Sequence, residues 1–136
     1  MKRIILLAFL CTTTLVMAQR INHVQEAIAN YDYEAALTLI AKEKPTIPLL
    51  LQKGKAQRGL GMNTEALSTY QEIITNDTAN TRAYIEAAEC CRSLAKYQQA
   101  LKYYEQALDL NPENKYVRIQ YIGPVSYTHL RAHATE

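Results

Sequence analysis

The sequence predicts an all-α fold, a solenoid of antiparallel helical hairpins with about three hairpins and the start of a fourth. Three observations carry this. The chain holds only four Gly and four Pro, while Ala and Leu are common, which suits helices better than the strands of a sandwich or barrel. Ala100, Leu101, Tyr104, Ala107 and Leu108 recur at steps of three and four, the apolar stripe of an amphipathic helix. Finally, Gly54, Ala66 and Tyr70 recur as Ala88, Ala100 and Tyr104, each pair at the same offset (88 − 54, 100 − 66 and 104 − 70 are all 34). A plain helical bundle explains the stripe, but not matched small and aromatic residues at one fixed offset.

Written as one unit, Thr81 to Asn114 reads TRAYIEAAECCRSLAKYQQALKYYEQALDLNPEN. It resembles the tetratricopeptide repeat over its whole length. Tyr84 takes the first aromatic position, and Ala87 and Ala88 take the Leu-Gly pair. Tyr97 begins the second helix, Ala100, Tyr104 and Ala107 form its inner face, and Pro112 closes the unit. Two positions depart: Ala88 replaces the usual Gly and Cys91 the usual Tyr. Both are small enough for the hairpin to close.

Taken in order, residues 1–18 read as an export signal. Met1-Lys2-Arg3 is basic, Ile4 to Val16 is an uncharged apolar and small-residue run, and Val16-Met17-Ala18 offers small side chains for cleavage after Ala18. The run is too short and too abruptly ended for a membrane span. Cys11 follows Leu10 inside that run, unlike a lipid-accepting cysteine, which follows a small residue at its end. Residues 19–46 read as a degenerate first repeat. Tyr31 to Leu37 matches a turn and second-helix start, but the offset from Ala36 to Ala66 is 66 − 36 = 30, four short. Pro45 and Pro48 mark the shortening, since each removes a backbone donor and disfavours helix before it.

Residues 47–80 form the second unit, with Gly59-Leu60-Gly61 as its internal turn and Thr78 where Pro would stand. Residues 81–114 are the third. Ala66, Ala100 and Ala107 let crossing helices approach, and Tyr70 and Tyr104 fill the gap between layers. One hairpin cannot bury such a stripe alone; stacked neighbours can.

Residues 115–122 read as the opening of a truncated fourth unit, which stops at Gly123-Pro124. Within 123–136, the unbroken stretch from Val125 to His133 resembles a translated transposon-based sequencing adapter, so this tail reads as non-native. His129 and His133 have the four-residue spacing of two imidazoles on one helical face. No acidic residue lies between them and no third ligand is evident, so no metal is assigned.

Chemistry is equally unmarked elsewhere. Setting Lys2, Arg3, Arg131 and Glu136 aside reduces 15 basic and 13 acidic residues to 12 of each, without the cationic excess of a nucleic-acid binder. Cys90 and Cys91 are adjacent, about 100° apart on a helix, which suits a disulfide poorly; they read as small buried thiols. His23 is alone, and Ser68 and Ser93 lack a His-acid pair. Gly54 and Gly59-Leu60-Gly61 serve packing and turning, not a phosphate loop. Glu86 and Glu89 lie three apart on one helix, not across a cleft. No catalytic residue, cofactor or metal is expected.

In the family this sequence resembles, the first helices of successive hairpins line a concave groove that takes peptides or partner helices. The resemblance implies groove positions Leu51, Lys55 and Arg58 in the second unit, and Arg82, Ile85, Glu89 and Arg92 in the third. Their cationic and apolar mixture suits an extended peptide with some acidic residues, although the same residues also read as solvated faces. The family's clamp for a C-terminal carboxylate is absent, because Leu51 and Lys55 occupy its Lys and Asn positions and Glu86 a third. Two functions follow as expectations. One is a non-catalytic scaffold for protein or peptide partners in the periplasm or envelope of a bacterium, soluble after cleavage near Ala18. The other is the N-terminal repeat region of a longer envelope enzyme or sensor.

Overall fold

The computed structural model describes residues 1–121, and the side chains among them other than those of 6–15 and 17. Residues 122–136, which hold the end of the expected fourth unit, the adapter-like tail 123–136 and the His129–His133 pair, lie outside the described residues. Every regular element described is a helix: α1 (Lys2–Ala29), α2 (Tyr33–Ile40), α3 (Ile47–Gly59), α4 (Asn63–Asn76), α5 (Thr81–Ser93), α6 (Tyr97–Leu110), and α7 (115–121).

Two devices start these helices, and both occur at α2, where Asp32 also accepts from the Ala35 amide at 3.1 Å. Before α3, α5 and α7 a side-chain oxygen caps the exposed backbone N–H groups. Thr46 accepts from the Leu49 amide at 3.4 Å, Asn80 from Ala83 at 3.1 Å, and Asn114 from Val117 at 3.1 Å. These caps keep the period of the sequence, since 80 − 46 and 114 − 80 are both 34. Before α2, α4 and α6 the chain reverses through a left-handed residue: Tyr31 at φ 60°, Gly61 at φ 75° and Ala95 at φ 57°. Around Ala95 the Lys96 amide donates to the Cys91 carbonyl at 2.8 Å, and around Tyr31 the Asp32 amide donates to Ala27 at 2.8 Å, the six-to-one bond that closes a helix C-terminus. Gly61 and Ala95 keep the same period (95 − 61 = 34), whereas Tyr31 and Gly61 fall four short of it (61 − 31 = 30).

The chain divides into two compact units, Met1–Gly61 and Met62–Glu136. In the first, Val24 and Ile28 of α1, Ala36 and Ile40 of α2, and Leu49 and Ala56 of α3 form one core. The shortening of this region lies in α2, which has 8 residues where α4 and α6 have 14 each. Pro48 does not interrupt helix. It sits in the first turn of α3, where its missing N–H would have had no helical partner anyway. Gly54 is buried on α3.

In the second unit α5 packs against both α4 and α6. Its buried face is built of small residues, Ala83, Ala87, Ala88, Cys90 and Cys91, and α6 meets it with Ala100 and Ala107. Between them Tyr104 is 1% exposed, and the Tyr84 and Tyr103 rings approach to 6.4 Å. Gln71 of α4 donates to the Tyr103 hydroxyl at 2.9 Å. Val117 of α7 is fully buried.

Candidate partner-binding surface

Leu51, Lys55 and Arg58 follow one another at steps of four and three on α3, so they share a face of that helix. Lys55 is exposed, and Leu51 and Arg58 are half-buried. On α5 the steps are three, four and three through Arg82, Ile85, Glu89 and Arg92, again one face. Arg82 and Arg92 are exposed, Ile85 and Glu89 half-buried. The α3 face, in the first unit, thus carries two cations beside Leu51. The α5 face, in the second, carries two cations and a carboxylate beside Ile85.

The cations differ in what already holds them. Arg92 ion-pairs with Glu89 at 3.2 Å and donates to the Gln120 side chain of α7 at 2.8 Å. Glu89 also accepts from the Tyr104 hydroxyl and, at 2.7 Å, from the Tyr116 hydroxyl. The Glu89–Arg92 pair thus ties α5 to both α6 and α7. Its proximity alters titration: the hydrogen bond from Arg92 to Tyr104, foremost, raises the guanidinium above its ordinary range, while burial above all raises the Tyr104 phenol. Lys55 and Arg82 have no ion-pair partner among the described residues. Each face thus keeps one cation without an ion-pair partner among the described residues.

Other reactive groups are set into structure. Cys90 and Cys91 are both buried and unbridged. Burial pushes the Cys91 thiol up, against a smaller opposite pull from Lys96, which disfavours the nucleophilic thiolate. His23 is exposed on α1, with Nδ1 3.9 Å from Glu26. Among the described residues no three His, Cys, Asp or Glu side chains gather as a metal site would require, and no helix is long and apolar enough to cross a membrane.

The likeness to known proteins centres on the hairpin of α5 and α6 with its flanking turn. Residues 81–114 match the family model for the tetratricopeptide repeat. A human protein described as tetratricopeptide repeat protein 6 is 30% identical over 89 residues, which are 65% of this chain and 16% of that protein. The chain therefore spans about a sixth of the curated relative's length. Among solved structures, the first tetratricopeptide domain of Spaghetti (RPAP3) bound to an HSP90 peptide, SRMEEVD, matches with a TM-score of 0.75 at 19% identity, covering 82% of this chain and 92% of that one. The Yersinia enterocolitica type III secretion chaperone SycD, in complex with a peptide of the translocator YopD, matches with a TM-score of 0.68 at 16% identity, covering 86% and 91%. At these identities the likeness is one of fold: all-α, of the tetratricopeptide solenoid class, as the period of the sequence predicts.

The structure assigns neighbours to the expected surface residues that spacing alone does not. The sequence places Glu89 and Arg92 on one face but gives no sign that Tyr104, Tyr116 and Gln120 converge on them. Each of those positions carries a tyrosine or glutamine that could equally face solvent.

Proposed function

We propose that the chain is an exported, non-catalytic scaffold that holds a protein or peptide partner on the exposed faces of α3 and α5. The observation that carries this reading is the pairing of an uncommitted cation with an apolar side chain on each face, Lys55 with Leu51 and Arg82 with Ile85. A partner supplying carboxylates and apolar side chains in an extended segment would suit either face taken by itself. Two structures of like fold are described with a bound peptide, which supports the class of partner.

Within this reading, residues 19–46, 47–80, 81–114 and 115–122 are successive repeats, the first degenerate and the last incomplete. The regular recurrence of the caps and of the left-handed turns supports that division. Export rests on the order of residues in 1–18, and the exposure of Ile4 at 72%, Ile5 at 65% and Val16 at 45% supports it, because these three apolar side chains lie outside the core that holds Val24 and Ile28. The destination is the periplasm or envelope of a bacterium. A second reading is the N-terminal repeat region of a longer envelope enzyme or sensor; the human relative, of which the chain spans 16%, supports only the occurrence of such repeats within longer chains.

The test is charge reversal of the uncommitted cations. Lys55→Glu with Arg82→Glu should abolish capture of a defined partner, first identified by affinity capture and then purified, while leaving the melting temperature within a few degrees of the parent. Undiminished affinity in the double variant would refute this surface. Arg92→Glu is a poorer probe, since it sets a second carboxylate against Glu89 and disturbs the fold itself.

A further inference from the structure

A recessed feature lies wholly within the first unit. α2, the 41–46 connection and α3 enclose a half-open cleft of about 320 Å³. Leu37 and Ile40 form one wall and Leu49 and Leu50 the other, with Lys44 and Lys53 beside them. Such a volume is at the lower end of small-ligand pockets, roughly 300–1,000 Å³, and accepts one large side chain together with its backbone.

The charges around the cleft are unbalanced. Glu43 also lines it, but Arg20 holds that carboxylate at 2.7 Å, so its charge is already offset. Neither Lys44 nor Lys53 has an ion-pair partner among the described residues. Two ammonium groups on different segments therefore flank one apolar recess.

We infer that this cleft is a docking site for an acidic peptide segment carrying one large apolar side chain. The apolar side chain enters between Leu37, Ile40, Leu49 and Leu50, and carboxylates on either side of it meet Lys44 and Lys53. Charge complementarity selects a peptide over a fatty acid, because a fatty acid brings a single carboxylate to two separate cations. The site is independent of the surface proposed above: at about 100° per residue, Lys53 lies about 200° around α3 from Lys55. Either can fail without the other.

The experiment uses the full chain and two probes, a fluorescein-labelled, acetylated hexapeptide Glu-Glu-Leu-Phe-Glu-Glu and, separately, laurate. Binding is followed by anisotropy and by amide chemical shifts. The hexapeptide should bind saturably and shift amides between residues 37 and 53. Lys44→Glu with Lys53→Glu should weaken it by about tenfold or more at low salt, the milder Lys44→Gln with Lys53→Gln by less, and Lys55→Glu with Arg82→Glu within about twofold. A preserved melting temperature shows that the charge variants still fold, and the Gln pair serves if the Glu pair does not. Absence of saturable binding, affinity unchanged by both Lys44/Lys53 pairs, shifts confined to α5, or binding of laurate without the peptide would each overturn the assignment.

Discussion

The Tyr104 hydroxyl of α6 donates its hydrogen bond to Oε1 of Glu89 on α5, inside a hairpin where Tyr104 is 1% exposed. Burial first, and the carboxylate after it, raise the phenol above its ordinary value of 10.0, while Arg92 opposes them. The folded-state value thus lies above the unfolded one. The stability this contributes is fully present below about pH 10 and is lost as pH rises past it towards the folded value. Tyr104→Phe should cost about 2 kcal/mol, as for a hydrogen bond to a charged acceptor. It should also flatten the fall of melting temperature with pH above about 10. Equal slopes in parent and variant would show that Tyr104 ionises freely in the folded chain.

Ala95 holds φ 57° where the equivalent turn one repeat earlier uses Gly61 at φ 75°. A Cβ in this conformation costs roughly 1–2 kcal/mol, less the extra chain entropy of glycine in the unfolded state. Ala95→Gly should therefore raise stability by about 0.5–1 kcal/mol in denaturant titration, and Gly61→Ala should lower it by a similar amount. A destabilising Ala95→Gly would mean that the turn is not left-handed.

The Tyr33 ring, at the start of α2, occupies the space a side chain at Gly59 would need at the end of α3. Gly59→Ala gains at most about 1 kcal/mol of helix propensity and loses about 1–3 kcal/mol to overpacking, so a net loss is expected. In a Tyr33→Ala background the same change should be neutral or stabilising. A double-mutant cycle measures this, and additivity of the two changes would contradict the contact.

Ala100 is 2% exposed where α6 meets α5. Ala100→Glu forces a carboxylate into a space that only a methyl group fills, and should lower stability by several kcal/mol, among the larger single-residue effects. Thermal melting followed by circular dichroism reads this directly. An unchanged transition would place Ala100 on the surface and shift the register of α6.

The repeat period was legible because small and aromatic residues carry it: Ala66 and Ala100, Tyr70 and Tyr104, all buried. The caps Thr46, Asn80 and Asn114 carry the same period, and a search for short polar side chains before each helix would have found them. The turn at Ala95 gave no such sign, since alanine is a helix former and its left-handed φ follows from the hairpin, not from the residue. Tyr31 is a similar case. The Glu89 network was illegible for a different reason. Tyr104, Tyr116, Arg92 and Gln120 come from three helices, and only their packing brings the first three onto the Glu89 carboxylate and Gln120 onto Arg92. That convergence is also why Lys55 and Arg82, rather than Arg92, are the informative cations of the proposed binding surface.

That surface is tested most directly by site-specific photocrosslinking to a bound partner. Benzoylphenylalanine would be placed in turn at Gln52 and Glu86, one turn from Lys55 and Arg82, and at the exposed Lys102 and Asp109 of α6 as controls. Partner adducts at the α3 and α5 positions, with none at the two on α6, are the expected result. Adducts at Lys102 or Asp109 equal to or stronger than those at Gln52 and Glu86 would contradict the account.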